Sequence, residues 1–459
     1  RDCDDCKLGG FGGGNSQANC ADISEVYLRT TGASCNNQNL GKVLLKRDGF
    51  EDITRLCGSA VSKCNNGSTY NFGIEAHYYS GTVDFDQYLA YSGCEIQVFL
   101  HKSERSNAIN TLSTNEDDLF TYAILNPWVI QKKSPAFTAS PKILFNVNQP
   151  VYGNDGIQGD KNDSLSIKWS TPYRNINSTI GYKDGYSSEN FVSSHCPSGV
   201  PCAPNHKATI PEGIYLNSST GDYVLTPTSS NQIGTRVIEV EQWHKVSGKM
   251  QRVGLVRRDI IVKVVSENYN LPPQILADDI YHVCLGDDLA ITVKASDRQS
   301  TINGIPQPSD TVIYSISSSL GTSLTALTES VATAPYNQLQ LSFSPDSTHI
   351  GIHRILIKAQ DNYCPEKGQS EKVITIKVHS KPQVSIAVED QFCGNNTINV
   401  SSNRIGENTV KIYASGFLNQ TFENKYSYEY INRDKQDLSY ITEFTDLYGC
   451  VVLDSSIIH

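Results

Sequence analysis

The chain has 459 residues, too many for one β-sandwich and enough for three or four domains. Apolar residues make up 38% and charged residues 19%, with a net charge of −10 and one Met; with abundant Thr, Ser, Asn, Tyr, Val and Ile, that balance suits many short strands joined by polar loops. No clustered basic run offers a nucleic-acid surface, and no stretch reaches the roughly 18 apolar residues of a membrane span.

Thirteen cysteines place the chain in an oxidising, extracytoplasmic setting. It opens at Arg1-Asp2-Cys3 with no signal peptide and reads as a mature or trimmed form. Residues 1–22 are a Gly/Cys-rich lead or tether. Cys3-x-x-Cys6 has the spacing of a zinc or redox pair, but no second pair at zinc-finger spacing and no βαβ pattern accompanies it. A local disulfide framework fits better.

Residues 23–134 form a first β-domain. Its candidate strands are Glu25–Arg29, Lys42–Lys46, Tyr70–Tyr79, Gln87–Tyr91, Glu95–His101 and Phe120–Ile124. Cys57 and Cys64 bracket a short polar loop and are a candidate bridge.

Residues 135–265 form an Ig-like second β-sandwich. Asn154-Asp155-Gly156 begins a polar stretch that runs through Asp160 and Asp163. These residues satisfy tight turns without any ion, and their oxygens also allow a Ca²⁺ site, although the EF-hand order is not met. The Asn175–Asn205 loop carries Tyr182, Tyr186 and Phe191, and Cys196 and Cys202 pin it. With Trp243, these aromatics are the candidate binding surface; a decorative insertion is the competing reading. Ile214–Leu216 and Tyr223–Leu225 flank the turn Ser219-Thr220-Gly221-Asp222. Arg236–His244 and Gly254–Val265 flank Ser247-Gly248, a hairpin signal. In the last strand Val256, Ile260, Val262 and Val264 share one face, while Arg257, Asp259 and Lys263 share the other, the period of a half-buried strand.

Residues 266–381 begin with the linker Ser266–Pro272 and repeat the second domain in outline, as an Ig/cadherin-like sandwich. Leu289–Ala295, Val312–Ile316, Leu339–Phe343, His353–Ala359 and Lys372–Val378 are its strands. Asp297 and Asp310 are further candidate Ca²⁺ ligands. Cys284 and Cys364 lie near opposite ends and are a candidate bridge. His349 and His353 share a strand face without a third metal ligand. Residues 382–459 form a small fourth Ig-like domain, with candidate strands Val384–Val388, Thr397–Val400, Thr409–Tyr413, Tyr426–Tyr430 and Val451–Leu453. Cys393 near its start and Cys450 near its end suggest a bridge.

Catalytic signatures are weak. There is no Gly-x-Ser-x-Gly elbow, no His-Glu-x-x-His and no P-loop. Glu239 and Glu241 resemble a glycosidase pair only in type; Arg257 and Arg258 on the neighbouring strand make a cross-strand charge cluster the better reading. Asp278-Asp279 and Asp287-Asp288 can serve a cation at the domain junction or simply guard an edge. The chain therefore reads as a non-enzyme.

Three phrases of the second domain carry a resemblance: Ile214-x-Leu216-x(4)-Gly221-x-Tyr223-x-Leu225-Thr226-Pro227-Thr228, Gly234-Thr235-x-x-Ile238-x-Val240, and Gly254-x-x-Arg257-Arg258-Asp259. They resemble the Ig/cadherin-like (PKD-like) modules of Bacteroidota surface proteins associated with gliding motility and exported by the type IX secretion system. The likeness extends to Ser34-Cys35, Cys57/Cys64, Tyr91-Ser92-Gly93-Cys94 and Asn107-Ala108-Ile109, and it makes Cys94 the first choice of partner for Cys35. Thr445-Asp446-Leu447-Tyr448-Gly449-Cys450 resembles the last strand of tandem adhesin modules, which implies further modules beyond it. Asp163-Ser164-Leu165, Asp310-Thr311-Val312 and Asp346-Ser347-Thr348 resemble O-glycan acceptors of the same organisms.

The expectation is an all-β array of disulfide-stapled antiparallel sandwiches, secreted to the outer-membrane-associated cell surface. Its function would be that of an adhesin or structural stalk segment. Its partners would be other cell-surface proteins, surface glycans or the substratum, and the type IX machinery during export. The alternatives are a glycan-binding accessory module of a secreted enzyme, with the loop aromatics stacking on sugars, or a surface subunit of an outer-membrane assembly.

Overall fold

The computed structural model describes residues 23–458 apart from 33–34, 66, 71, 104, 107, 115–117, 130–132, 200, 267–269, 298–300, 303–304, 307–310, 331–336, 392–394, 425 and 432–437. The central element is the hairpin of strands Ile233–Val246 and Lys249–Val265. Its turn residues Ser247 and Gly248 both take positive φ, 48° and 84°, as a two-residue primed turn requires. Pairing runs from Val246↔Lys249 to Ile233↔Lys263, with one irregularity at Gln242/Trp243.

This hairpin sits in a sheet that spans two of the sequence segments. On one side Ile233–Val246 pairs with Ser164–Ser170. On the other, Lys249–Val265 pairs with Leu119–Leu125, and the sheet continues through Glu95–Lys102 and Glu25–Thr31 to Asn39–Leu44. Residues 23–134 and 135–265 are thus joined by a backbone ladder at Gly254↔Leu125, Leu255↔Ile124 and Val256↔Ala123. A three-stranded sheet, Ile214–Leu216, Tyr223–Leu225 and Val151–Gly153, faces the hairpin. Phe145, Phe191, Tyr223, Leu225, Ile260, Val262 and Val264 fill the space between.

The third module is a sandwich of two four-stranded sheets. One contains Gln274–Leu276, Leu289–Ser296, Asn337–Phe343 and Leu324–Ser330. The other contains Ile280–Cys284, Gln369–His379, Gly351–Gln360 and Ile313–Ser318. Leu289–Ser296 shows why: Ile291, Val293 and Ala295 are buried, and the residues between them are exposed. Ile280–Cys284 runs parallel to Gln369–His379, so consecutive strands serve opposite sheets. The fourth module packs Val384–Gln391, Asn395–Ser402 and Ser427–Ile431 against Phe417–Glu423, Gly406–Ala414, Leu438–Asp446 and Val451–Ile458. Its core is Ile398, Val400, Val410, Ile412, Leu438 and Tyr440. The protein is therefore an all-β chain of tandem antiparallel sandwiches. No helix among the described residues is long and apolar enough to cross a membrane.

Two expectations need correction. Gln87–Tyr91 is not a strand but part of a 3-10 turn over Phe85–Tyr91, begun by Asp84, whose carboxylate accepts from the Asp86 N–H. The disulfides also differ. Cys35–Cys94 and Cys196–Cys202 form as expected. Cys57 bonds Cys364 instead of Cys64, because an antiparallel bridge between Leu56 and Glu366 brings their Cα atoms to 5.3 Å. Cys284 bonds Cys450, at a Cα separation of 5.4 Å, replacing the Cys284–Cys364 and Cys393–Cys450 pairings. Cys64 is also disulfide-bonded. Cys3, Cys6, Cys20 and Cys393 lie outside the described residues. Two bridges thus join modules rather than staple them, and each closes a loop worth about 5–6 kcal/mol in the chain-entropy model. Peptide mapping without reduction should recover Cys57 linked to Cys364 and Cys284 linked to Cys450; recovery of Cys57 linked to Cys64 would contradict the joint.

Candidate functional site

The Asn154-Asp155-Gly156 turn, expected as a possible Ca²⁺ loop, is a wiring point between two modules. Gly156 takes φ +66°, and a Cβ there would stand 2.6 Å from Thr138 Oγ1 and 2.7 Å from the Ala139 nitrogen, so only glycine fits. Asp155 receives Arg236 in a bidentate pair at 2.7 and 3.1 Å. Both side chains are buried, 0% and 1% exposed. The guanidinium lies 4.5 Å over the Tyr223 ring, and Arg258 adds a second cation 3.4 Å from Asp155. Burial alone would lower the Arg236 pKa; the Asp155 charge outweighs it and holds the group above its ordinary range.

From the same turn Asn154 donates to the Thr220 carbonyl at 2.9 Å and to Asp222 at 2.6 Å. Asp222 in turn accepts the Val373 N–H of the third module at 2.8 Å. Lys372 stands between Asp222, at 3.7 Å, and Asp279, with which it forms a close ion pair. Asn217 also donates to Asp279, at 3.2 Å. Burial pushes the Asp222 carboxyl upward despite Lys372. For Lys372 burial acts downward, but the two carboxylates prevail and raise it. A lysine of the chain thus occupies the junction where the acidic pairs had suggested a bound cation. Asp287 pairs with Lys381 and Asp288 with Ser344.

The remaining candidate metal ligands do not converge. Asp163 accepts from Gln242 and His244, both at 2.5 Å. Asp160 caps its own turn through the Asn162 N–H. Asp297 follows the strand Leu289–Ser296, and Asp310 lies outside the described residues. Among the described residues no group of three or more His, Cys, Asp or Glu side chains is placed to hold a metal ion. His349 belongs to a capping turn with Asp346, and its carbonyl accepts from His353 Nε2 at 2.7 Å.

The expected binding loop turns inward. Phe191 is fully buried against Trp169 and Tyr223 belongs to the same cluster. Tyr182 donates to the Thr235 carbonyl at 3.2 Å, and Tyr186 accepts from Gln232 at 2.9 Å. Trp243 is half-buried in its strand, opposite Ser164 and Arg252. Phe191 and Tyr182 thus belong to the core, while Tyr186 and Trp243 are half-buried at its margin. The paired carboxylates are likewise structural: Glu239 meets Arg257 at 2.7 Å, and Glu241 meets Arg252 at 3.4 Å. Arg257 also donates to Ser170 and to the Thr171 carbonyl. Asp259 completes the set with Arg105 of the first segment, bidentate at 2.7 and 2.9 Å. The hydroxyls of Ser164, Thr311 and Ser347 in the three acceptor-like phrases are all on exposed residues.

A cleft that sequence reasoning missed opens where three modules meet. It is lined by Arg55 and Tyr70 of the first, Lys142 and Phe145 of the second, and Glu366 and Gln369 of the third. Its water-accessible volume is about 60 Å³, room for a few water molecules and far short of a drug-sized pocket. Arg55 pairs with Glu371 at 3.2 Å, and Tyr70 donates to Glu366 at 3.1 Å. Lys142 is half-buried as a residue, but its ammonium is enclosed, donating to the carbonyls of Tyr152, at 3.2 Å, and Gln369. Burial pushes its pKa down to about 8, and raises that of Glu366. The Cys57–Cys364 bridge closes this joint, whose groups are far apart in sequence.

No family model matches the chain, and no curated protein matches it. Among solved structures it is similar to tandem domains of titin (TM-score 0.27, 11% identity, covering 71% of this chain and 98% of that one). It is also similar to the N-terminal four Ig domains of Dscam1 isoform 6.9 (TM-score 0.21, 7% identity, 90% and 99% covered). A third likeness is to three N-terminal domains of the bacteriophage RB49 outer capsid protein Hoc (TM-score 0.25, 9% identity, 68% and 93% covered). The fold assignment rests on the strand pairing itself.

Two outcomes test these joints. Arg236→Ala leaves Asp155 buried with its closest cation removed and should cost about 3–5 kcal/mol in urea unfolding. For Lys142 the folded pKa of about 8 lies below the unfolded 10.5. Between those values the unfolded chain holds more protons, so stability should rise as pH increases above 8. Lys142→Met should flatten that rise; an unchanged slope would place the ammonium in solvent.

Proposed function

We propose that this chain is a non-enzymatic segment of a modular surface protein, an adhesin or structural stalk of a Bacteroidota cell exported by the type IX route. The observation that carries the reading is the joining of modules. Cys57–Cys364 and Cys284–Cys450 each tie one module to another, and two ion pairs cross further boundaries: Arg105–Asp259 joins the first segment to the second, and Lys372–Asp222 joins the third module to the second. Links of this kind resist shear and the reshuffling of domains. They also require an oxidising compartment. The motif residues Arg257, Arg258 and Asp259 all act in ion pairs, with Glu239 on the neighbouring strand, with Asp155 and with Arg105 of the first segment.

The glycan-binding alternative has less support, because Tyr182 and Phe191 pack into the domain and Tyr186 is held by Gln232. The partners in this reading are other surface proteins or the substratum, met through loops and edges. Antibodies raised against the purified chain should label intact producing cells, and a protease added outside should remove the label. Signal that appears only after lysis would overturn the reading.

A further inference from the structure

An open sheet edge presents unpaired backbone N–H and C=O groups, so natural edges carry a guard such as a charge, a bulge or a cover. The longer edges here follow that rule. Asn39–Leu44 carries Lys42, paired with Glu25. In Ser164–Ser170, Lys168 projects outward and the Ile167 N–H donates to the Ser218 carbonyl at 3.0 Å. Phe417–Glu423 is bent by an irregularity opposite Ile412/Tyr413. Val451–Ile458 carries Asp454, whose carboxylate accepts the Ile386 N–H of the facing sheet at 3.0 Å.

The open side of the third sandwich is guarded least. Two edge strands lie there, one from each sheet: Ile313–Ser318 and Leu324–Ser330. Together they hold no Lys, Arg or Pro, and Glu329 is their single charge. Leu324–Ser330 pairs with Asn337–Phe343 without a bulge, and no strand among the described residues pairs with its other side. After Leu324 every residue is exposed. That includes Ala326 and Thr328, which lie opposite the buried Leu341 and Leu339, so the strand overhangs the core. Leu327 is 59% and Ile313 56% exposed.

We propose that Leu324–Ser330 is a self-association site, at which two copies of the chain pair antiparallel about Leu327 and merge their sheets. The strand's own sequence argues for a second copy. Pairing about Leu327 sets Leu327 against Leu327, Ala326 against Thr328 and Thr325 against Glu329, so no like charges face each other. The two Glu329 side chains then stand about 13 Å apart along the ladder, beyond the roughly 8 Å screening length of physiological salt. The contact is isologous and closes as a dimer, using up both edges. It is independent of where the protein resides.

Sedimentation velocity of the full chain across the micromolar range tests it. A concentration-dependent dimer is expected. It should tighten with added salt as the net charge of −10 on each copy is screened. Leu327→Lys sets two ammonium groups opposite each other and should weaken the dimer about tenfold or more, with the thermal midpoint unchanged because the side chain is in solvent. Leu327→Thr should retain it. A chain that stays monomeric throughout, or a dimer indifferent to Leu327→Lys, overturns the proposal.

Discussion

The structure depends on one buried ion pair. Strand Ile233–Val246 is buried on both faces over its first eight residues, yet it carries Arg236 through the middle of that stretch. A guanidinium there is tolerable only if its charge is met at once, and Asp155 meets it with both oxygens while the Tyr223 ring supplies an electron-rich face. The pair therefore fixes three separate elements: the central hairpin, the Asn154-Asp155-Gly156 turn and the strand Tyr223–Leu225. Gly153 shows how tightly these are drawn together, since a Cβ there would stand 2.2 Å from the Tyr223 ring. A hydrophobic core of the same volume would tolerate small shifts in any of these elements. A bidentate pair does not, because an offset leaves charge unpaired in low dielectric.

Charges do the same work between elements throughout the first two segments. Arg257, Arg258 and Asp259 are consecutive on one strand, so they project to alternate faces and reach Glu239, Asp155 and Arg105 in turn. One short run of sequence thus clamps the neighbouring strand, the turn and the first segment. This explains why a phrase dense in charge lies in a strand that also carries Ile260, Val262 and Val264 into the core.

Much of the fold is legible in the sequence. The alternation in Leu289–Ser296, the turn at Ser247-Gly248 and the turn at Gly221 each correspond to elements where local pattern and tertiary packing agree. The misses have physical causes. Lys46–Asp52 is a strand with almost no buried residue, so it carries no periodic signal. Phe417–Glu423 is an edge strand exposed along most of its length, for the same reason. The joints were illegible on different grounds. Cys57 and Cys364 are 307 residues apart, and nothing local in either segment records that Leu56 bridges Glu366. Proximity in sequence favoured Cys64. The loop aromatics misled through composition, since Tyr and Phe in a polar loop read alike whether they face solvent or fold back onto Trp169.

The acidic turns show how cation chemistry can be internal. Asp155, Asp222 and Asp279 are carboxylates of the type that binds hard divalent ions, lying near a domain boundary. Each instead faces a side-chain cation, Arg236 and Arg258 for the first and Lys372 for the other two. The substitution changes the mechanics of the boundary. A joint held by calcium stiffens or relaxes with the ion's concentration, whereas one held by Lys372 has a fixed cation whose pKa is raised by the carboxylates around it. The hydrogen-bond path is also continuous. Arg236 holds Asp155, the adjacent Asn154 holds Asp222, and Asp222 holds both the Val373 N–H and Lys372. Moving the third module away from the second would expose none of these groups singly. It would break Asp222 from two partners while its tie to Asn154 anchors it in the second, leaving a buried carboxylate short of donors. The boundary is therefore cooperative with the core of the second module, and the two are mechanically one body at this contact.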